Sequence, residues 1–265
     1  MAAYSAHGRE RLAWWFLNPA AHALWSPMIR TDGRMHASSA RTVSGTLMAV
    51  ALSFATTWAA ANKPPNLTEG EMALLPAYCP DAQGFKYGDQ YYNTSPRAPH
   101  WVSLMGQGFW AVHHYCWALV NMRRAKSIST RSPLRVGTLE GVRADFVYVF
   151  ENTKPNFVLL PEIYTRMGEV ELLLGNVGGA HEAYGRARQL KPDYWPAYSE
   201  WAEFLIKTNQ KAAAKQLIET GLSLAPDSKT LADLYRSLGG DPSSVQPVVL
   251  TPPRAAASAP QSSSE

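Results

Sequence analysis

The most reactive side chains crowd into one stretch, Phe109-Trp110-Ala111-Val112-His113-His114-Tyr115-Cys116-Trp117. On a helix His113 shares a face with Cys116 and Trp117, because residues three and four apart are neighbours. A cysteine beside an imidazole can act as a nucleophile, and imidazole with thiolate suits zinc. Two facts weigh against both uses. His113 and His114 are adjacent, so on a helix they point about 100° apart and make no two-ligand face. The spacings H-E-x-x-H, C-x-x-C and G-x-S-x-G are all missing from the chain. The three residues are therefore expected to pack inside a helical core, with no catalytic residue, metal site or cofactor assigned. An accessory role in a periplasmic redox or metal system, through His113, His114 and Cys116, stands as the alternative.

The state of Cys116 depends on where the protein resides. The stretch from Thr42 to Asn62 carries no charge and holds the apolar run Val43–Ala55, with Arg41 before it and Ala59-Ala60-Ala61 after it. A basic flank, an apolar run and a small-residue end are the parts of a secretory signal. Counted from the internal Met35, the segment to Ala61 has the usual length of such signals. Retention as a membrane anchor is the other outcome, although six Ser or Thr residues between Thr42 and Asn62 make the stretch only moderately apolar. Residues 1–34 read as an upstream extension, or as a real amphipathic segment around Leu12-Ala-Trp-Trp-Phe-Leu17. Outside the cytoplasm, the only two cysteines, Cys79 and Cys116, are expected to form a disulfide, with two buried free thiols as the other state.

Charge narrows the partner class. The formal net charge of +4 is concentrated at the amino terminus, where five arginines and two acids precede Thr42, so the remainder carries only +1. The body of the chain has no basic footprint for nucleic acid.

A repeat runs through the later part of the chain. Leu190-Lys191-Pro192-Asp193 returns as Leu224-Ala225-Pro226-Asp227, a period of about 34 residues. At the same offset Ala180 matches Ala214, Tyr184 matches Ile218, Ala187 matches Gly221, Gly168 matches Ala202 and Tyr164 matches Tyr198. Small residues belong where two helices come closest, and large apolar ones fill the gaps between hairpins. Gly175-Asn176-Val177-Gly178-Gly179 suits a turn, and Pro192 and Pro226 end helices because proline cannot continue the hydrogen-bond ladder. Over about Pro161 to Leu238 the chain resembles the tetratricopeptide-repeat (TPR) family, whose unit is a helix hairpin of that period. The first unit, Pro161–Tyr194, carries the A-x-x-x-Y-x-x-A pattern and closing proline. The second, Trp195–Ser228, departs with Asn209 for a turn glycine and Gly221 for an alanine. Lys229–Leu238 is expected to be a capping helix over the last apolar face.

The expected fold is all-α, a TPR-like helical-hairpin solenoid with a capping helix and an irregular amino-terminal segment. Helices are expected over Trp101–Lys126 and Leu134–Asn152, forming a degenerate third hairpin. The expected organisation is 1–34 extension, 35–61 signal or anchor, 62–100 loop-rich segment, 101–158 degenerate hairpin, 159–238 repeats and cap, and 239–265 disordered tail. A loop between Pro80 and Pro99, with Tyr87, Tyr91 and Tyr92, is expected to cover the first hairpin.

The TPR resemblance implies a partner-binding groove lined by the first helix of each unit. By matched position its residues are Glu162, Thr165, Arg166, Glu169, Leu172, Ser199, Glu203 and Ile206. The lysine and asparagine that chaperone-binding members use to hold a carboxylate are absent. The implied function is a non-enzymatic exported scaffold for an envelope or secretion protein. The expected localisation is periplasmic, or anchored in the inner membrane if the apolar run is retained.

Overall fold

The computed structural model describes residues 63–86 and 94–250. The extension, the signal or anchor segment, Tyr87, Tyr91, Tyr92 and the tail from residue 251 lie outside the described residues. Nine α-helices and three short 3-10 turns make up the described chain, and no strand occurs among the described residues.

A short helix, α1 (Glu69–Ala73), opens the described chain; Thr68 accepts from the Glu71 amide while the Glu71 carboxylate accepts from the Thr68 amide. A 3-10 turn at Cys79–Asp81 follows, and then α2 (Ala98–Met105). The expected single helix from Trp101 to Lys126 is in fact broken. Gly106 ends α2 with φ of 68°, a backbone state that favours glycine. A 3-10 stretch, Gly106–Ala111, then leads into α3 (Val112–Ser127). Gly108 is also required there, because a Cβ would lie 2.4 Å from the Phe157 ring.

The first hairpin pairs α3 with α4 (Pro133–Glu151), within a residue of the expected second helix. Every residue from Ala111 to Val120 is buried, so α3 is covered on all sides. One cover is the segment tied by the disulfide between Cys79 and Cys116. Buried Asp81 anchors that segment further, accepting from Ser95 Oγ at 2.8 Å and Trp101 Nε1 at 2.7 Å and pairing with Arg97. Arg124 adds an ion pair with Glu71.

Two repeat hairpins follow: α5 (Leu160–Leu173) with α6 (Val177–Leu190), and α7 (Pro196–Lys207) with α8 (Lys211–Leu224). Their turns are equivalent. Gly175 has φ of 81° and Asn209, one repeat on, has φ of 61°, so asparagine takes the left-handed role at low cost. Gly168 lies under Tyr184, where a Cβ would meet the ring at 2.7 Å. Ala180 and Ala214 are fully buried.

The core divides into two clusters. Phe109, Val112, Tyr115, Leu139, Phe146, Ile163 and Val170 belong to the first. Tyr184, Trp201, Ala214, Ile218, Leu231 and Tyr235 belong to the second, and Tyr164 packs against both. The capping helix α9 (Lys229–Ser237) supplies Leu231 and Tyr235. Each large apolar side chain so buried contributes about 1.5–3 kcal/mol. In the described part of the expected 239–265 tail, Val245 packs on the second cluster and the Val248 amide donates to Ser223 O at 2.6 Å. These apolar residues interrupt an otherwise polar tail and find the surface left by α8 and α9.

Candidate protein-docking face

The first helix of each hairpin, α3, α5 and α7, carries polar side chains that link one helix to the next. Tyr115 Oη on α3 donates to Glu162 Oε1 on α5 at 2.6 Å. Lys126, also on α3, forms an ion pair with Glu169. Arg166 reaches Glu169 on its own helix at 3.1 Å and Glu200 on α7 at 3.4 Å. Tyr184 Oη, from α6, donates to the other oxygen of Glu200 at 3.4 Å. Together they form a polar ladder along α3, α5 and α7, joined by Tyr184 from α6, with the Tyr115–Glu162 bond beside the Lys126–Glu169–Arg166–Glu200 chain.

Of the residues expected at the groove, Glu162, Arg166 and Glu169 join this ladder. Thr165 and Ser199 are buried, and their hydroxyls donate to the carbonyls of Pro161 and Pro196 on their own helices. They therefore offer a partner no polar group. Leu172 and Ile206 are half-buried and pack on the second core cluster. Glu203 is exposed and lies 3.7 Å from Lys207, one helical turn on. The residues missed from sequence are Tyr115, Lys126, Tyr184 and Glu200. Glu200 had a visible signal, since it stands one full repeat after Arg166.

Burial shapes the charges. Glu200 is pushed up to about 7, first by desolvation and then by Glu169 and Glu203, with Arg166 and the Tyr184 hydrogen bond opposing. Burial disfavours the Arg166 charge, but Glu200, Tyr115 and Glu169 hold its pKa above the usual value. Desolvation and then Glu162 raise Tyr194 to about 12, and the same two causes raise Tyr78 and Tyr115. The charge of Glu162 thus acts on three tyrosine hydroxyls at once.

The histidine-cysteine stretch does something different. Cys116 is in the disulfide and supplies no thiolate. His114 Nδ1 is 2.7 Å from Asp145 Oδ1, and its ring stacks on Tyr148 with centroids 3.7 Å apart. His113 Nδ1 lies 2.8 Å from Trp110 O, so it donates there. Burial, and then His114, lower the His113 pKa to about 4, with the Trp110 carbonyl opposing. Both rings also pack on Trp117. The stretch is a polar-edged aromatic packing unit, and among the described residues no group of three or more His, Cys, Asp or Glu is arranged to hold a metal ion.

No curated protein and no solved structure gives a match to this chain. The family model described as tetratricopeptide repeat matches residues 171–238, which run from the end of α5 through α9. The repeat period, the paired helices and this match agree in making residues 171–238 similar to tetratricopeptide repeats.

Proposed function

We propose that this chain is an exported scaffold that holds a protein partner on the side lined by α3, α5 and α7. The polar ladder from Tyr115 to Glu200 carries the proposal. It gives the first helices a set of polar groups fixed by contacts from helix to helix, and rigid elements position binding groups better than loops do. The TPR family supports protein binding as the activity. Export is supported by the basic flank, apolar run and alanine-rich end of residues 41–61, and by the Cys79–Cys116 pairing, which persists in oxidising compartments. The partner is then an envelope protein, and the task its docking or the assembly of a secretion, pilus or membrane complex. If the apolar run is retained, the same domain works from a membrane anchor. No helix among the described residues is long and apolar enough to cross a membrane.

Site-specific photo-crosslinkers test the docking side. Placed at Glu203 and Ile206 on α7, they should yield a partner adduct in the native envelope fraction. Placed at Glu182 on α6 and Gln216 on α8, they should not. Adducts only from α6 and α8 would move the docking side to the second helices and overturn the proposal.

A further inference from the structure

The first hairpin turns differently from the two repeat hairpins. The repeats turn within 174–176 and 208–210, while the longer Ile128–Ser132 joins α3 to α4. At this tip the start of α4 shows apolar side chains to solvent. Leu134 is 67% exposed and Val136 47% exposed, next to exposed Pro133. Neither Leu134 nor Val136 belongs to a core cluster. One exposed apolar residue is ordinary, but neighbouring ones make a patch.

Positive charge gathers at the same tip. No acid occurs in the sequence between Asp89 and Glu140, a span that carries Arg123, Arg124, Lys126, Arg131 and Arg135. Acids from elsewhere answer only part of it: Glu71 pairs with Arg124 and Glu169 with Lys126. Arg123 and half-buried Arg135 donate to backbone carbonyls, of Glu71 and Leu74 and of Leu173. Arg131 and Lys63 are exposed and have no ion pair among the described residues. Lys63 lines one open recess of about 300 Å³ with Leu134, Gly137 and Thr138.

We infer that this tip, with Leu134 and Val136 set among Lys63, Arg131 and Arg135, rests on the surface of an anionic lipid bilayer. Apolar side chains at the headgroup boundary and basic ones beside them are the two ingredients of peripheral membrane binding. A headgroup surface suits a tip that offers a few side chains and an open recess, where an acidic protein would need a groove to hold it. Chain order agrees, because one residue separates Lys63 from Ala61, the end of the signal-like segment. Retained, that segment brings a bilayer to Lys63. Removed, it leaves a new amino group near Asn62, one more cation beside Lys63 in the chain. The inference does not use the docking side on α3, α5 and α7.

Photo-crosslinkers placed in the full chain, at Leu134 and at Gln216 on α8, test this on two kinds of vesicle. One mixes phosphatidylglycerol with phosphatidylcholine, and the other is phosphatidylcholine alone. Leu134 should give about tenfold more lipid adduct on the mixed vesicles, and added salt should reduce it. Gln216 should give little on either. Lys63→Gln with Arg131→Gln changes exposed side chains only, and should cut the Leu134 adduct on mixed vesicles by about tenfold. Equal Leu134 adducts on both vesicles would mean that the apolar run alone holds the chain to lipid, and would overturn the inference. Absence of a lipid adduct at Leu134, or a protein adduct in its place in the native envelope fraction, would do the same. All three outcomes leave the docking side standing, since crosslinks from Glu203 and Ile206 report on it separately.

Discussion

Glu200 shows how one buried carboxyl ties stability to pH. It faces Arg166, Glu169, Tyr184 and Glu203, and in the folded chain its pKa stands near 7. An unfolded glutamate titrates near 4.3. Between these values the folded state binds more protons than the unfolded one, so stability falls as pH rises through that window. The lowered His113 pKa acts in the opposite sense between about 4 and 6.5, so the Glu200 contribution is read as the urea midpoint of the native chain minus that of Glu200→Gln. That difference should fall as pH rises from 4.5 to 8, and a constant difference would assign the pH dependence elsewhere. Ala214 makes a packing prediction at the same scale. It is fully buried between helices, so Ala214→Leu should cost about 1–3 kcal/mol of stability by overpacking. An unchanged thermal midpoint would mean that the helices there have room to part. Ala214 was legible in the sequence because its partner Ala180 stands one period away. The bond between Tyr115 and Glu162 was not. Tyr115 and Glu162 are 47 residues apart and on different hairpins, and no local spacing joins them.

At the scale of elements, the repeat marked out α5 to α9 well, because each boundary carries its own physical sign. Proline closes α6 and α8, and Gly175 and Asn209 turn the hairpins. The amino-terminal elements were harder. The break between α2 and α3 depends on Gly106 and Gly108, which sit in an aromatic run whose lack of proline suggested an unbroken helix. The disulfide joins these elements. It spans 37 residues, and a loop of that size is expected to stabilise the fold by roughly 4 kcal/mol through the unfolded chain. Replacing both cysteines with serine, Cys79→Ser with Cys116→Ser, should lower the thermal midpoint and expose the α1 segment to protease before the repeats. Simultaneous cleavage throughout the chain would show that the segment is held mainly by Asp81 and Arg124.

For the molecule as a whole, the sequence pattern separated an apolar leader from a repeat body, and export remains part of the proposed function. The mature chain should begin near Asn62, and sequencing its amino terminus checks this. A protein that still carries Val43–Ala55 and leaves the membrane only in detergent would be anchored instead. In either case the repeat domain keeps its polar ladder, since the ladder uses residues from Tyr115 onward.

The all-round burial of α3 has a consequence for the order of biosynthesis. The ribosome delivers α3 before α4 and α5, the elements that cover two of its sides. Until they emerge, Val112, Tyr115, Trp117 and their neighbours are apolar surface without a home. A chain that completed its first hairpin during translation would be stalled in a sticky state, with α5 still inside the ribosome. Threading through a translocase would not remove that interval, because the helices would also reach the far side in chain order. Cys79 and Cys116 both precede α4, so their disulfide can close during that interval and hold the α1 segment over α3 before the hairpin is complete.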